Sequence, residues 1–527
     1  MFNLVLRDER FDQHFTASDF LRHRLDAIRE QRAAENATRE RRGLRPLSSV
    51  QPTFTEIQQS HLLFVQGAYR PYVATASEYS LVKASGDGAT ALGASGANLQ
   101  FTFPIFGQFT SDIVLRVRFR AIGSADAAAA EAEPTTAAPL LRYCAYPGLR
   151  LLRSVSFKSA ETLIDDYTTD DAVAYSKFFV GPDHRLGWLR CHGQQVERQA
   201  TYRANNFTGV FDFYDGPQTP KLYQEELELF IPLQFWFCRD ASTALLNDMI
   251  PNTQRTITCD LAPLSQIVFA YVNNPDDAGE LVSVPLPFSR LDMTAELYVN
   301  GLYVNPEVHD VYASRCGFSL FRAHRRAKFQ LPSPSGFFQL DSLKFPAEFL
   351  LVGMRDRRIL TDPDIWWLMG TPTVRTQSTA LLVSAMIWNK TLEICQHVCR
   401  EAREVSTLES FTDTFKVTAH GVDLYPTLPS GFFNAYLPTR YAESTLVYSP
   451  RDSSAFLVTF CLYPGVYNPS GYYNLSAGRE LYINYALKPA SVLSSDFQLG
   501  QTEMVISMSA LNFLVRRGDT LSLQYAL

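Results

Sequence analysis

Ile113-Val-Leu-Arg-Val-Arg-Phe-Arg120 sets Leu115, Val117 and Phe119 against Val114, Arg116, Arg118 and Arg120. Apolar and charged residues alternate with a period of two, the pattern of a β-strand with one dry face and one wet face. The chain on both sides reads the same way. Leu62–Val65, Leu99–Phe103, Leu227–Phe237, Arg255–Asp260 and Glu296–Val299 are short runs rich in β-branched and aromatic residues. Phe411–Ala419, Phe456–Leu462, Leu481–Tyr485, Met504–Ser509 and Leu521–Tyr525 continue the series. Gly, Pro, Ser and Asp clusters bound them, as strands require. Outside the first 45 residues one helix is expected, near Leu392–Glu404. Strands outnumber helices and are not interleaved with them, so the class is an all-β sandwich rather than α/β.

The first 45 residues differ. Leu21, Leu25 and Ile28 stand at helical spacing, Thr16 and Asp19 fit a capping box, and arginines outnumber acids from Asp19 to Arg45. The apolar stripe is narrow, so this arm is expected to be a solvated helix alone and a docking element when a partner is present. Residues 121–139 carry an alanine-rich insertion, read as a loop in which a short helix can form. Ile231-Pro-Leu-Gln-Phe-Trp-Phe-Cys-Arg-Asp240 leading to Arg255–Asp260 is echoed by Tyr436-Leu-Pro-Thr-Arg-Tyr leading to Phe456–Cys461. The echo suggests two similar sandwiches in tandem. Their expected limits are an arm at 1–49, domains at 50–271 and 285–527, and a linker at 272–284 rich in Asn, Asp, Pro and Gly.

Composition narrows the function. Of 527 residues 46% are hydrophobic, 13% aromatic and 19% charged, enough to fill large cores and unlike a disordered chain. A net charge of −6 gives no electrostatic drive to wrap nucleic acid. No stretch reaches the roughly 18 apolar residues of a membrane helix, and the first six residues run straight into Arg7, Asp8, Glu9 and Arg10, unlike a signal peptide. Eight scattered cysteines in a chain this long imply free thiols in a reducing compartment. The sequons at Asn206, Asn389 and Asn474 are accordingly expected to stay unmodified.

Motifs of catalysis are missing. There is no GxSxG, HExxH, Walker loop or GxGxxG. Cys395-Gln-His-Val-Cys399 resembles a ligand cluster, but on the expected helix Cys395 and Cys399 share a face that His397 does not, so buried thiols are expected instead of a metal. Asp165, Asp166, Asp170 and Asp171 offer oxygens to calcium without the glycine and terminal glutamate of an EF-hand, and are read as an exposed loop. Trp366-Trp367 suits a sugar or base stack, or else a core or interface. The sequence therefore calls for no enzyme, cofactor, metal or catalytic residue.

Collinear blocks carry a resemblance. They begin with Ser60-His-Leu-Leu-Phe64, Tyr69-Arg-Pro-Tyr-Val73 and Arg142-Tyr-Cys-Ala-Tyr-Pro-Gly-Leu-Arg150. Gly216-Pro-Gln-Thr-Pro-Lys-Leu-Tyr-Gln224 and Ile231–Phe237 follow, then Glu296-Leu-Tyr-Val-Asn-Gly-Leu-Tyr-Val-Asn-Pro-Glu-Val-His309. Phe318–His324, Val417–Leu424, Pro469–Gly471 with Leu475–Glu480, and Ser509–Leu514 complete the set. In these blocks, which span about Ser48 to the last residue, the chain resembles the major capsid proteins of African swine fever virus and related nucleocytoplasmic large DNA viruses. It departs from them between Glu161 and Tyr214, where the family carries a longer loop, in residues 121–139, and in the arm.

The resemblance implies two tandem jelly rolls (β-barrels or sandwiches) with an N-terminal arm and long inserted loops. It further implies a homotrimer forming pseudo-hexameric capsomers that tile an icosahedral capsid, assembled in the host cytoplasm. Minor capsid and penton proteins, an inner viral membrane met by the arm, and a folding chaperone would be partners, with no direct nucleic-acid contact. The alternatives are a minor double jelly-roll capsid or spike paralogue, and a glycan-binding or glycan-processing β-sandwich protein. Phe337-Phe338, Trp366-Trp367 and Phe432-Phe433 are the aromatic pairs expected at interfaces between copies.

Overall fold

The computed structural model describes residues 19–46, 75–85, 90–129, 135, 138–194, 197–200, 211–214, 220–250, 255–274, 281–304, 306, 309–310, 313, 318–370, 379–381, 384–389, 394–399, 403–405, 410–442, 454–475, 480–489, 493, 497–517 and 520–525. The expected strand Leu62–Val65, the capping residue Thr16 and the sequon at Asn206 lie outside them. The chain divides into two units, residues 1–76 with 304–309, and residues 77–303 with 310–527.

In the smaller unit α1 (Asp19–Arg41) is the helix expected of the arm. From Asp26 to Arg41 no side chain is buried, and the ion pairs Arg29–Asp26 (2.9 Å) and Arg39–Glu35 (3.5 Å) are local to the helix. Arg39 and Arg41 sit in its last turn, where they complement the negative end of the helix dipole.

The larger unit is built on sixteen framework strands. The first eight are β1 (Thr75–Lys83), β2 (Ala97–Phe103), β3 (Phe109–Phe119), β4 (Leu152–Ser159), β5 (Thr162–Thr168), β6 (Leu227–Pro232), β7 (Arg255–Leu261) and β8 (Arg290–Val304). The second eight are β9 (Phe318–Gln330), β10 (Ser335–Gln339), β11 (Pro346–Asp356), β12 (Thr412–Ala419), β13 (Val422–Pro429), β14 (Ala455–Thr459), β15 (Leu481–Leu487) and β16 (Thr502–Arg517). The first set forms the sheets β1-β8-β3-β6 and β2-β7-β4-β5; the second forms β9-β16-β11-β14 and β10-β15-β12-β13. Strand order 1-8-3-6 over 2-7-4-5 is that of a jelly roll, and it occurs twice. The sheets stay open at their edges, so these are sandwiches and not closed barrels.

Sequence period explains the layers. Leu115, Val117 and Phe119 of β3 are fully buried between the sheets. On the wet face Arg116 bridges Glu228 (2.5 Å) and Glu296 (2.9 Å), a cross-strand ladder of opposite charges. β11 is buried at every position, as a central strand covered on both faces must be. The tight turns 160–161 and 420–421 join strands four and five of each half, with Ala160 (φ 50°) and His420 (φ 53°) left-handed and Gly421 (φ 72°) completing the second.

Several expectations are corrected. The segment near Leu392–Glu404 is not a helix: Ile394–Cys399 pairs antiparallel with Ser384–Asn389, and Arg403–Val405 with Thr379–Leu381. Pairing with a strand that holds Ile387 and Trp388 overrides the helical spacing. Instead, α2 (Thr169–Phe179) and α3 (Pro182–Cys191) are helices, the first with a capping box between Thr168 and Asp171. The expected linker 272–284 lies within the first half: Val268–Asn273 and Leu281–Val284 pair as a hairpin, and β8 then completes the first sandwich. The strands of the second sandwich begin with β9. The tandem echo pointed to two sandwiches by aligning unlike strands, since Arg255–Asp260 lies in the seventh strand of its half and Phe456–Cys461 overlaps the sixth. In the alanine-rich insertion Ala125–Ala129 is helical.

Five described cysteines, Cys144, Cys191, Cys238, Cys259 and Cys461, are free. Burial pushes the thiols of Cys144 and Cys259 up to about 11 and about 12, which keeps them protonated and unreactive. Incubation with a strong reductant is therefore expected to leave the melting temperature within a degree or so. A fall of several degrees would reveal a structural disulfide.

Candidate functional site

Antiparallel order fixes where the connections go. In the first sandwich, the connections β1–β2, β3–β4, β5–β6 and β7–β8 leave from one end, and β2–β3, β4–β5 and β6–β7 from the other. In the second, the connections β9–β10, β11–β12, β13–β14 and β15–β16 leave from one end, and β10–β11, β12–β13 and β14–β15 from the opposite one. Each half thus has a loop-rich end carrying its longest insertion and an opposite end, here the short-turn end, that holds its two-residue turn beside one longer loop.

Like ends meet. At the loop-rich end Arg142 grips Asp364 through two 2.9 Å hydrogen bonds, Trp366 Nε1 donates to the Ala145 carbonyl (2.7 Å), and the Ala145 amide donates to the Pro363 carbonyl (2.8 Å). Trp367 packs edge-on against Tyr146 at 4.8 Å and beneath the Lys177 ammonium at 4.3 Å. At the short-turn end Arg516 donates to the Asp248 carbonyl. The two sandwiches therefore stand side by side with the same polarity.

Between these ends the four aspartates form the seam. β5 and α2 of the first sandwich face β9, β11 and β16 of the second. Asp165, fully buried, accepts from the His324 amide (2.8 Å) and from His324 Nδ1 (2.9 Å). His324 Nε2 lies 2.9 Å from the Arg239 guanidinium, which can only donate, so Nε2 is the acceptor there. Asp166 pairs with Arg326. Asp170 takes Arg355 (2.7 Å) and Lys328 (2.5 Å), and Arg355 reaches on to Glu503 (2.8 Å). Burial alone would push the Asp170 carboxyl up, but Arg355 and Lys328 outweigh it and hold it at about 2. Trp236 on Phe321 (4.6 Å) and Phe179 on Phe349 (5.1 Å) supply the apolar part.

The aspartates expected in an exposed, calcium-like loop are thus internal ion-pair partners. Carboxylates with cations this close are already neutralised, and no cluster able to hold a metal occurs among the described residues. Trp366 is buried and Trp367 half-buried in the same seam, and Phe433 is fully buried. Of the three aromatic pairs expected at intermolecular contacts, Phe337 is the member that is exposed, at 63%. Cys395, His397 and Cys399 occupy alternate positions of a strand, opposite Trp388, Met386 and Ser384, so the helical premise for their geometry is replaced. Sequence reading missed His324, Arg239 and Arg355. The alternation His324-Arg-Arg326-Ala-Lys328 was the local signal for the first, and Arg239 and Arg355 had none.

Half of the exposed large apolar residues among the described ones lie at the short-turn ends. Ile105 and Tyr303 lie there in the first sandwich, and Phe318, Val422, Leu462, Tyr463, Val466, Tyr467 and Tyr472 in the second. The 460–472 loop is held in place: Arg322, itself paired to the buried Glu348 at 2.6 Å, donates to the carbonyls of Val466 (2.6 Å) and Tyr467 (3.2 Å). Such preorganised, uncharged tyrosine tips suit contact with another protein.

No family model matches the chain. It is similar to the major capsid protein of an African swine fever virus isolate, 23% identical over 661 aligned residues covering 100% of this chain and 99% of the relative. The hexon protein p72 of a second strain matches with the same identity and coverage. Among solved structures, the Faustovirus major capsid protein aligns with TM-score 0.63 and 25% identity over 96% of this chain and 99% of its own. VP54 of PBCV-1 aligns with TM-score 0.57 and 18% identity over 88% of this chain and 100% of its own.

Proposed function

We infer that this chain is a major capsid protein of a large DNA virus, built on two jelly rolls fixed side by side. The observation that carries the reading is the pair of sandwiches with one strand order, over which the viral relatives align from end to end. Its role is structural, and the seam explains how. Two sandwiches locked with the same polarity present one end of long loops and one end of apolar turns, which suits a tile with an outer and an inner surface.

From that premise the chain assembles as a homotrimer. Three copies supply six similar bodies around a threefold axis, giving a pseudo-hexagonal unit that repeats in a lattice through heterologous contacts. The exposed apolar residues of the short-turn ends support such association, because patches of this kind on a lone chain mark protein contacts. They also support help from a folding chaperone before partners cover them. The arm helix, basic and without a buried side chain from Asp26 onward, suits docking on neighbouring capsomers, minor capsid or penton proteins, or anionic lipid of an inner membrane. Assembly belongs in the host cytoplasm, consistent with the free cysteines.

Native mass measurement of the purified protein is expected to give three copies of the 59.4 kDa chain, with little monomer on dilution. A stable, soluble monomer that forms no lattice would overturn the capsid reading and favour a glycan-binding sandwich.

A further inference from the structure

The loop-rich end of the first sandwich carries a cavity of about 510 Å³ lined by Thr90, Arg118, Arg120, Glu226, Arg290, Asp292, Met293 and Thr294. Its walls come from separate pieces of chain that the jelly-roll order brings together. They are the end of β3, the start of β8, the residue before β6, and the β1–β2 connection. In a chain of net charge −6, this spot gathers three guanidiniums against two carboxylates.

The arginines are not equivalent. Arg118 is committed to Glu226 through two bonds of 2.5 Å, a forked pair that fixes one wall. Arg120 and Arg290 share the single carboxylate of Asp292, each at 3.6 Å and beyond good hydrogen-bond length. Their side chains are 77% and 64% exposed, so both forks keep donors for a ligand. The rest of the lining mixes acceptors (Glu226, Asp292) with hydroxyls (Thr90, Thr294) over the buried Met293.

We propose that this cavity binds an acidic saccharide, with its sulfate or carboxylate between Arg120 and Arg290 and its hydroxyls on Glu226, Asp292 and the two threonines. The volume lies in the range of small-ligand sites, and a bare inorganic anion would leave most of it to water. Sugar hydroxyls both donate and accept, matching a lining in which acceptors and donors alternate. A nucleic-acid strand fits poorly, because the lining has no aromatic face for a base and two carboxylates oppose a run of phosphates. The proposal stands apart from the capsid reading: a trimer that fails to bind would sink only this site, and a monomer that binds would sink only the other.

The test titrates the full-length purified protein with a sulfated disaccharide and a sialylated trisaccharide. Each is run beside its neutral parent, with inorganic phosphate as a further arm. At least one acidic saccharide is expected to bind about tenfold or more tighter than its parent and than phosphate, a difference of about 1.4 kcal/mol. The double variant Arg120→Gln/Arg290→Gln should lose at least about tenfold of that affinity with an unchanged melting temperature, since both residues are exposed. Arg120→Lys/Arg290→Lys, which keeps the charge and loses the fork, should fall between. Phosphate binding as tightly as the saccharide would mean a free-anion site only. Equal binding of the neutral parent, full binding by the Gln variant, or no saccharide binding would each overturn the assignment.

Discussion

Replacing Arg355 with Met is expected to lower the free energy of unfolding by about 3–5 kcal/mol, the range for a buried ion pair that loses one partner. Arg355 is 3% exposed and lies between Asp170 of the first sandwich and Glu503 of the second. Removing it leaves Glu503 without its closest cation and Asp170 with Lys328 alone. Denaturant titration measures the loss. The triple variant Arg355→Met/Asp170→Asn/Glu503→Gln should recover most of it, because the stranded charges go with the cation. A single-variant loss under about 1 kcal/mol would mean that the apolar contacts of Trp236 and Phe179 hold the seam unaided.

Acidification should destabilise the protein in two steps with separate causes. His192 is buried at the end of α3, its ring tilted against Trp188 with centroids 4.2 Å apart, and its Nδ1 donates to the Trp188 carbonyl at 2.8 Å. Burial pulls its pKa down from 6.5 to about 4. Below 6.5 the unfolded chain takes up a proton that the folded one refuses, so stability present at neutral pH is lost as pH falls through that window. The loss is about 3 kcal/mol when the folded value is reached. Asp170 acts further down. Its folded value of about 2 lies under the ordinary 3.8, so its contribution is complete above about pH 4 and disappears as pH drops toward 2. Melting temperature against pH separates the two, since His192→Gln should flatten the curve between 6.5 and 4 and leave the lower step in place. An unchanged slope in that variant would remove His192 as the cause.

The alternation of Leu115, Val117 and Phe119 with arginines was enough to place β3 and its buried face, because a strand's pleat reads directly from neighbouring residues. The seam was hidden for the opposite reason. Asp165 and His324 are 159 positions apart and Asp170 and Arg355 are 185 apart, so nothing local distinguishes an aspartate awaiting a buried cation from one in a solvated loop. The capping box of Thr168 and Asp171 was available in the sequence and marks α2, but the cluster of acids around it suggested an exposed, solvated loop instead. At Ile394–Cys399 the partner strand decided the outcome, and helical spacing without a partner misled. The arginine-lined cavity could not be read at all, since it needs strands three, six and eight side by side.

The segregation of connections by end carries an evolutionary consequence. Register in each half is anchored by two-residue turns at 160–161 and 420–421, while the insertions at 120–151, 169–226 and 357–411 leave from the opposite end. Doubling the length of a flexible loop costs only about 0.6 kcal/mol of closure entropy, so one end is free to drift in length while the strands keep their partners. The alignment to the viral relatives runs to 661 positions for a chain of 527 residues, so it contains gaps. Loop length and strand pairing are thereby uncoupled, and the connections at one end can be remodelled without disturbing the register of either pair of sheets.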